Sequence, residues 1–239
     1  FESDLIIGIY YLKNEQLDLA RKYFLKLKNR NSKFILNAFI SNSLLNWSSF
    51  NKLDLKSAKA KNSLIDSRFQ NLKDIQNVFI HCFYKSKKTG FLFKELTSRR
   101  KIDFSRYNYF YATYLVDVGK TQEAKKLIDS SLKLSPRNIL LNQYKFDLNN
   151  DRKHNFNCLN QSHIVAEILY VAANALSTQS IYTISNFYLN LAKYLNIDFY
   201  SFDVLLAENF YKIGNLKQAK KIYNNVGKMG NIFNWHSAK

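Results

Sequence analysis

The chain has 239 residues, a formal net charge of +18 and 15% aromatic residues. The aromatic content excludes a disordered chain, and six Gly with one Pro are too few for the turns of a hairpin-rich β fold. The apolar runs are short and interrupted by Lys, Asn or Asp, which excludes a membrane-spanning helix and predicts a soluble, all-α protein.

A recurring spacing of small and large residues predicts repeated helix pairs. Gly8 is followed by large residues at offsets of 3 and 16, and by Ala20 at an offset of 12. The same offsets recur after Ala112, Ala173 and Ala207, and the last two of these residues are 34 positions apart. This spacing defines four clear repeats, at 1–34, 105–138, 166–199 and 200–233.

Each repeat is predicted to form two helices joined by a short turn. The small residues allow close approach of the two helices, and Gly119 and Gly214, at an offset of 7, favour the left-handed conformation that ends a helix. Pro136 then stops the second helix of its repeat. Glu15 and Ser180 occupy the glycine position in the other two repeats.

The remaining segments, 35–104 and 139–165, are predicted to be degenerate helix pairs. The polar stretch 149–157 is the candidate loop or hinge. Together with the clear repeats, these segments give about seven helix pairs and the start of another.

This pattern resembles the tetratricopeptide repeat, most closely in Tyr111, Ala112, Leu115, Gly119, Ala124 and Pro136. The resemblance implies a single right-handed superhelical solenoid of antiparallel helix pairs over residues 1–239. Pentatricopeptide repeats have a similar period and would imply RNA binding, but this Gly, Ala and Pro set favours the tetratricopeptide family. The run 187–195 also resembles repeat proteins of alphaproteobacteria, so a bacterial origin is expected.

The resemblance also implies where a partner would bind, because the first helices of tetratricopeptide arrays line a concave groove. The residues expected to bind a partner peptide or protein are Tyr109, Thr113, Tyr170, Asn174, Glu208 and Tyr211. In the first repeat the groove positions are Leu5, Ile9, Leu12 and Lys13. The alternative is that the tyrosines pack against neighbouring repeats. The family's Lys/Asn/Arg clamp for a C-terminal carboxylate is not reproduced, which disfavours an adaptor of that kind.

Catalytic and cofactor motifs are missing from the sequence, which contains no P-loop, GxSxG, HExxH, GxGxxG or EF-hand spacing. A non-catalytic scaffold without a cofactor is therefore expected. Cys82 and Cys158 lie 76 residues apart without a CxxC spacing, so they are predicted to be buried free thiols. His154, Cys158 and His163 lack a fourth ligand and a recognised spacing, so no metal is expected.

The positive charge is densest between residues 85 and 106. This basic cluster consists of Lys85, Lys87, Lys88, Lys94, Arg99, Arg100, Lys101 and Arg106, and aromatic residues alternate with it. Such a cluster would neutralise phosphates and stack on bases, which makes RNA or DNA binding the alternative function. The other interpretation is a solvated loop with its Phe side chains in the core. Because the predicted groove is not basic, a protein or peptide partner is favoured.

Both ends of the chain are typical of a fragment. The first residue is Phe1, and 231–239 resembles the beginning of another helix, so the chain is expected to be a fragment of a longer protein. A signal peptide would lie upstream, and localisation stays open between cytoplasmic and exported.

Overall fold

The computed structural model describes residues 1–29, 35–99, 104–228, 230 and 232. Within these ranges the chain forms thirteen α-helices, two short 3-10 turns and no β-strand, which confirms the all-α fold. The helices are α1 (Glu2–Lys13), α2 (Leu17–Asn29), α3 (Ile35–Trp47), α4 (Leu55–Ser63), α5 (Gln70–Phe83), α6 (Thr89–Thr97), α7 (Ser105–Asp117), α8 (Thr121–Leu134), α9 (Ile139–Asn149), α10 (Gln161–Thr178), α11 (Tyr182–Leu195), α12 (Ser201–Lys212) and α13 (Leu216–Gly227). None of these helices is both long enough and apolar enough to cross a membrane.

The helices belong to two compact units, and each unit combines two separate stretches of the chain. Unit 1 contains residues 1–84 and 158–197, and unit 2 contains residues 85–157 and 198–239. In unit 1, α1 packs against α11 and α3 packs against α10, so helices that are distant in sequence are in contact. In unit 2, α7 packs against α6, α8 and α9. The organisation of the whole chain as one solenoid stays a prediction.

Each of the four clear repeats contains two consecutive helices that pack together. These pairs are α1 with α2, α7 with α8, α10 with α11, and α12 with α13. The small residues Ala112, Ala173 and Ala207 have no exposed surface. Ser185 stands where the other repeats have Ala, and its buried hydroxyl donates to the Ala173 carbonyl at 2.8 Å. The serine is thus accommodated by a hydrogen bond to the facing helix.

The turn inside each repeat has the same backbone conformation, whether or not it contains glycine. Gly119 and Gly214 both have φ of 80°, while Glu15 has φ of 58° and Ser180 has φ of 62°. In all four turns the next residue donates its N–H to the carbonyl five positions earlier, at 2.7 to 2.9 Å. This hydrogen bond defines the Schellman motif, so the offset of 7 from the small residue marks the same helix end in every repeat.

The prediction of two free thiols was wrong, because Cys82 and Cys158 form a disulfide within unit 1. Their Cα atoms are 5.9 Å apart, and both residues are buried. Cys82 lies at the end of α5, and Cys158 lies in the segment that leads into α10. A separation of 76 residues does not indicate whether two cysteines pair, because pairing depends on which segments the fold places in contact.

The degenerate segments also form helices. Residues 35–99 of the segment 35–104 contain α3 to α6, while the segment 139–165 contains α9 and the beginning of α10. Residues 150–160 lie outside the helices, which confirms the loop predicted at the polar stretch. The second residue of this loop is Asp151, whose φ of 51° is again left-handed.

Candidate functional site

The six residues predicted to bind a partner do not lie on one surface of either unit. Tyr170 and Asn174 are on α10 in unit 1, where Tyr170 is half-buried and Asn174 is exposed. The other four residues are in unit 2. There, Tyr109 and Thr113 are buried, Glu208 is half-buried, and Tyr211 is 64% exposed.

Residues expected to bind a partner are buried because of contacts between helices that a repeat pattern does not predict. Tyr109 lies against Tyr144 of α9, with ring centroids 4.8 Å apart, and its own helix packs on three others. The groove positions expected in the first repeat are corrected in the same way. Leu5, Ile9 and Leu12 are in the core of unit 1, because α1 packs against α11 as well as α2. The exposed face of α1 carries other residues, namely Ile6, Ile7 and Tyr10.

A cavity of about 210 Å³ lies in unit 2, and we call it the unit 2 cavity. Its walls come from α7, from α9, from the loop residues 152–155, and from residues 198–201. Its lining includes the aromatic residues Tyr109, Tyr144 and Phe199 and the polar residues Gln143, Asp147 and His154. The exposed side chains of Arg152 and Lys153 are at its rim.

Three buried polar atoms, each on a residue that lines this cavity, have no hydrogen-bond partner among the described residues and almost no accessible surface of their own. They are Gln143 Oε1, the Tyr144 hydroxyl and His154 Nδ1. Gln143 is 5% exposed and Tyr144 is 2% exposed, so neither side chain can rely on bulk water. A buried polar atom without a partner destabilises the fold, and most buried polar atoms in proteins are paired. These atoms lie beneath the surface of the wall, so the candidate site is defined by the cavity and its lining residues.

His154 is fixed in orientation by a carboxylate on α7. Its Nε2 lies 2.9 Å from Asp117 Oδ1, and only 13% of the imidazole is exposed. Because a carboxylate can only accept, Nε2 carries a hydrogen that it donates to Asp117. In the neutral imidazole Nδ1 is then an acceptor.

Asp147 is a half-buried carboxylate among the residues that line the cavity. Burial raises its pKa, and a hydrogen bond from Gln143 Nε2 to Asp147 Oδ1 at 2.9 Å opposes the rise. Arg152 approaches the same oxygen at 3.8 Å from the exposed rim. Burial raises the pKa of Tyr144, and the negative charges of Asp117 and Asp147 raise it further. Both carboxylates thus make the electrostatic potential at the Tyr144 hydroxyl negative.

Arg106, which belongs to the predicted basic cluster, supports one wall of the cavity. Its guanidinium donates to the Ser201 hydroxyl at 2.7 Å and lies over the rings of Phe110 and Phe199. These contacts hold Phe199 in place and make Arg106 a structural residue of unit 2.

The rest of the basic cluster divides into engaged and exposed residues. Arg99 is paired with Glu95 at 4.0 Å and lies over the Phe104 ring. Arg100 and Lys101 lie outside the described residues. Lys85, Lys87, Lys88 and Lys94 are exposed. Nucleic-acid binding by this cluster stays a prediction, with four lysines accessible to a phosphate.

The candidate zinc ligands are not assembled by the fold. Cys158 is in the disulfide and therefore cannot supply a thiolate. His154 belongs to unit 2, whereas His163 belongs to unit 1. Among the described residues no group of three or more His, Cys, Asp or Glu side chains is placed to hold a metal ion.

The unit 2 cavity could not be read from the repeat pattern. Gln143, Asp147 and His154 come from the degenerate segment 139–165, where the spacing of the repeats is lost. The signal that could have indicated a site is the polar loop after α9, since binding residues are often placed on loops.

Comparison with known family models and curated proteins identifies no match to this chain. The functional interpretation therefore depends on the residues and geometry of the chain itself.

Proposed function

We propose that this chain is a tetratricopeptide-like, non-catalytic scaffold that binds a segment of a partner protein. The proposal includes the arrangement of its helix pairs as a right-handed solenoid and requires no cofactor. Its support is the set of four packed helix pairs with small residues at equivalent positions and one shared turn conformation. Arrays of such pairs are extended surfaces that bind polypeptides.

The observation that carries this proposal is an apolar surface around the turn between α12 and α13. We call it the α12–α13 patch and define it by Glu208, Tyr211, Ile213 and Leu216. Tyr211 is 64% exposed, Ile213 is 47% exposed and Leu216 is 59% exposed. Isolated exposed apolar residues are common, but three large ones within six positions are typical of an interaction surface.

The α12–α13 patch also has a polar component, supplied by the predicted residue Glu208. Burial raises the pKa of Tyr223 to about 12, and the charge of Glu208 contributes to the rise. The carboxylate of Glu208 therefore lies near the aromatic residues. A partner segment that presents an apolar side chain beside a hydrogen-bond donor would complement this combination.

The test is a peptide selection on the full chain, followed by affinity measurements on variants. Peptides selected against the wild type should bind the double variant Tyr211→Ala, Leu216→Ser at least about 10-fold more weakly, since tyrosine is a common hot spot and Leu216 adds apolar contact area. The matched control is Leu64→Ser, because Leu64 is 82% exposed but lies on unit 1. Selected peptides that bind the double variant as tightly as the wild type would refute the assignment.

A further inference from the structure

The sequence between residues 19 and 65 is strongly basic. It contains ten Lys and Arg residues and one acid, Asp54, so this stretch supplies half of the chain's net charge of +18. All of it belongs to unit 1. The cations that the structure describes in this stretch lie on α2, on the 3-10 turn Phe50–Lys52 and on α4, and they are Arg21, Lys22, Lys26, Lys28, Lys52, Lys56, Lys59 and Lys61.

Helix α3 connects the two basic helices, because it packs against both α2 and α4. Its Asn46 donates through Nδ2 to the Lys61 carbonyl in α4, at 3.2 Å. Asp18, in the first turn of α2, forms an ion pair with Lys52 in the 3-10 turn that precedes α4. These contacts hold α2 and α4 in a fixed relation to each other on the surface of unit 1.

Three cations lie close together where α2 approaches α4. Burial lowers the pKa of Lys61, and the positive charges of Arg21 and Lys28 lower it further. Both of these side chains are therefore close enough to repel Lys61. Arg21 and Lys28 are seven positions apart, which places them on the same side of α2. We call this surface the unit 1 basic face and define it by Arg21, Lys28 and Lys61.

The carboxylates nearest in sequence to the unit 1 basic face have other partners. Asp18 is paired with Lys52, and Asp54 caps the beginning of α4. Among the described residues, no ion pair joins a carboxylate to a member of the unit 1 basic face. A concentration of positive charge that the chain does not neutralise attracts an anionic partner.

Two exposed leucines flank the unit 1 basic face. Leu25 lies between Arg21 and Lys28 on the same side of α2, and it is 47% exposed. Leu64 follows Lys61 by three positions, immediately after α4, and it is 82% exposed. Cations beside exposed apolar side chains are typical of a surface that lies on an anionic bilayer, because the cations attract the headgroups while the apolar side chains enter the acyl boundary.

The aromatic side chains of these helices are not placed to stack on bases, which is how proteins bind single-stranded nucleic acids. In α2, Phe24 is fully buried. Tyr23 is stacked with Tyr11, with ring centroids 5.7 Å apart, and Lys26 lies over its ring at 4.6 Å. The α4 segment contains no aromatic residue. Exposed leucines without accessible aromatic rings favour a lipid surface over a nucleic acid.

We propose that the unit 1 basic face binds the surface of a bilayer rich in anionic lipids. Arg21, Lys28 and Lys61 contact the anionic headgroups, and Leu25 and Leu64 enter the boundary between headgroups and acyl chains. The other lysines of α2 and α4 add to the attraction. This surface belongs to unit 1, so it does not depend on the partner binding proposed for the α12–α13 patch of unit 2.

The test measures co-sedimentation of the full chain with lipid vesicles. Vesicles of phosphatidylcholine with about one third phosphatidylserine should bind the wild type at least about 10-fold more tightly than vesicles of phosphatidylcholine alone. Raising the salt concentration from about 0.1 M to about 0.5 M should weaken this binding at least about 10-fold, because salt screens the charges. Equal binding to both kinds of vesicle would overturn the proposal.

Charge variants then locate the surface. Arg21→Gln, Lys28→Gln removes two exposed cations and should weaken binding to the anionic vesicles at least about 10-fold. The matched control is Lys87→Gln, Lys88→Gln, which removes the same charge from exposed positions of unit 2. The control should bind the vesicles within about 2-fold of the wild type. Equal losses in the two variants would contradict the proposal, since binding would then follow net charge alone.

Two further measurements separate a bilayer from other polyanions. Leu25→Ser, Leu64→Ser should weaken binding to the anionic vesicles about 10-fold, and undiminished binding would exclude insertion of these side chains. A polyuridine oligonucleotide should bind Arg21→Gln, Lys28→Gln within about 3-fold of the wild type. If this variant instead lost as much affinity for the oligonucleotide as for the vesicles, the unit 1 basic face would be a general polyanion surface and the bilayer assignment would be wrong.

Discussion

Glu15 is a non-glycine residue in a conformation that favours glycine. Its φ of 58° matches the position at which Gly119 and Gly214 have φ of 80°. A side chain with a Cβ in the left-handed region is disfavoured by about 1 kcal/mol. Because Glu15 is exposed and its turn hydrogen bonds come from the backbone, Glu15→Gly should stabilise the chain by up to about 1 kcal/mol. Urea unfolding with linear extrapolation measures the change.

The reciprocal substitution is the control for this effect. At Gly119 an added Cβ would meet no described atom within 4 Å, so Gly119→Ala changes only the backbone preference. It should destabilise the chain by about 1 kcal/mol. A Glu15→Gly variant less stable than the wild type would show that Glu15 makes a stabilising interaction.

Asp147 links the unit 2 cavity to the pH dependence of stability. Its pKa is raised by burial, so the folded chain holds this proton more tightly than the unfolded chain does. Stability from this group is therefore complete below the ordinary Asp pKa, and it is lost as the pH rises through the raised folded value. Asp147→Asn removes this loss and leaves a side-chain oxygen to accept from Gln143.

The expected result is that Asp147→Asn gains stability relative to the wild type between about pH 3.5 and about pH 7. Urea unfolding of both proteins at the two pH values measures it. A stability difference that is the same at both pH values would mean that the Asp147 pKa is not raised. The gain at neutral pH would show that the fold retains an unfavourable carboxylate, which is typical of a binding residue.

In the α1–α2 pair, Gly8 permits a close approach of the two helices. A Cβ on Gly8 would lie 2.4 Å from Phe24 Cε1, and Phe24 is fully buried in α2. Gly8→Ala should therefore destabilise unit 1 by about 1 to 3 kcal/mol, although Ala is the better helix former. The midpoint of thermal unfolding, followed by circular dichroism, measures the loss.

Gly90 is the matched position for this prediction. It is also in a helix, α6, but a Cβ there would lie 3.5 Å from the Tyr114 ring, which is ordinary contact. Gly90→Ala should be neutral or slightly stabilising. If both substitutions had the same effect, the Gly8 site could not be the tight helix contact seen between α1 and α2.

The helix pairs could be predicted from sequence because their signals are local. A small residue at Ala112, a turn at Gly119 and a second small residue at Ala124 lie within one repeat, so spacing alone determines the pair. Contacts between helices that are distant in sequence have no comparable signal in the spacing of residues. The packing of α1 on α11 buried Leu5 and Ile9, which the repeat register assigns to an open groove.

The candidate site was only partly predictable for the same reason. Tyr109 was recognised by its repeat position, but its role in the cavity wall depends on Tyr144 and Phe199, which come from other segments. Asp117 and His154 meet over a separation of 37 residues. The exposed residues Asn174 and Tyr211 face solvent as expected, because helix periodicity determines which side of a helix is open.

On the scale of the whole molecule, the chain passes from unit 1 to unit 2 and back before it ends in unit 2. The disulfide lies where the two stretches of unit 1 meet, since Cys82 is near the end of the first and Cys158 begins the second. It closes a loop of 76 residues that contains the first stretch of unit 2. Cross-linking across such a loop restricts the unfolded chain and stabilises the fold by about 2 to 4 kcal/mol.

The double variant Cys82→Ala, Cys158→Ala should therefore lose about 2 to 4 kcal/mol of stability in unit 1. Trp47 reports on unit 1 because it is fully buried and its indole donates to Gln76 at 3.0 Å. A Trp235→Phe background leaves Trp47 as the only tryptophan, so fluorescence during urea unfolding follows that unit alone. Reductant should lower the midpoint of the parent protein and leave the double variant unchanged. Titration of two free thiols in the denatured, non-reduced protein would contradict the disulfide itself, and with it the expected effect of reductant.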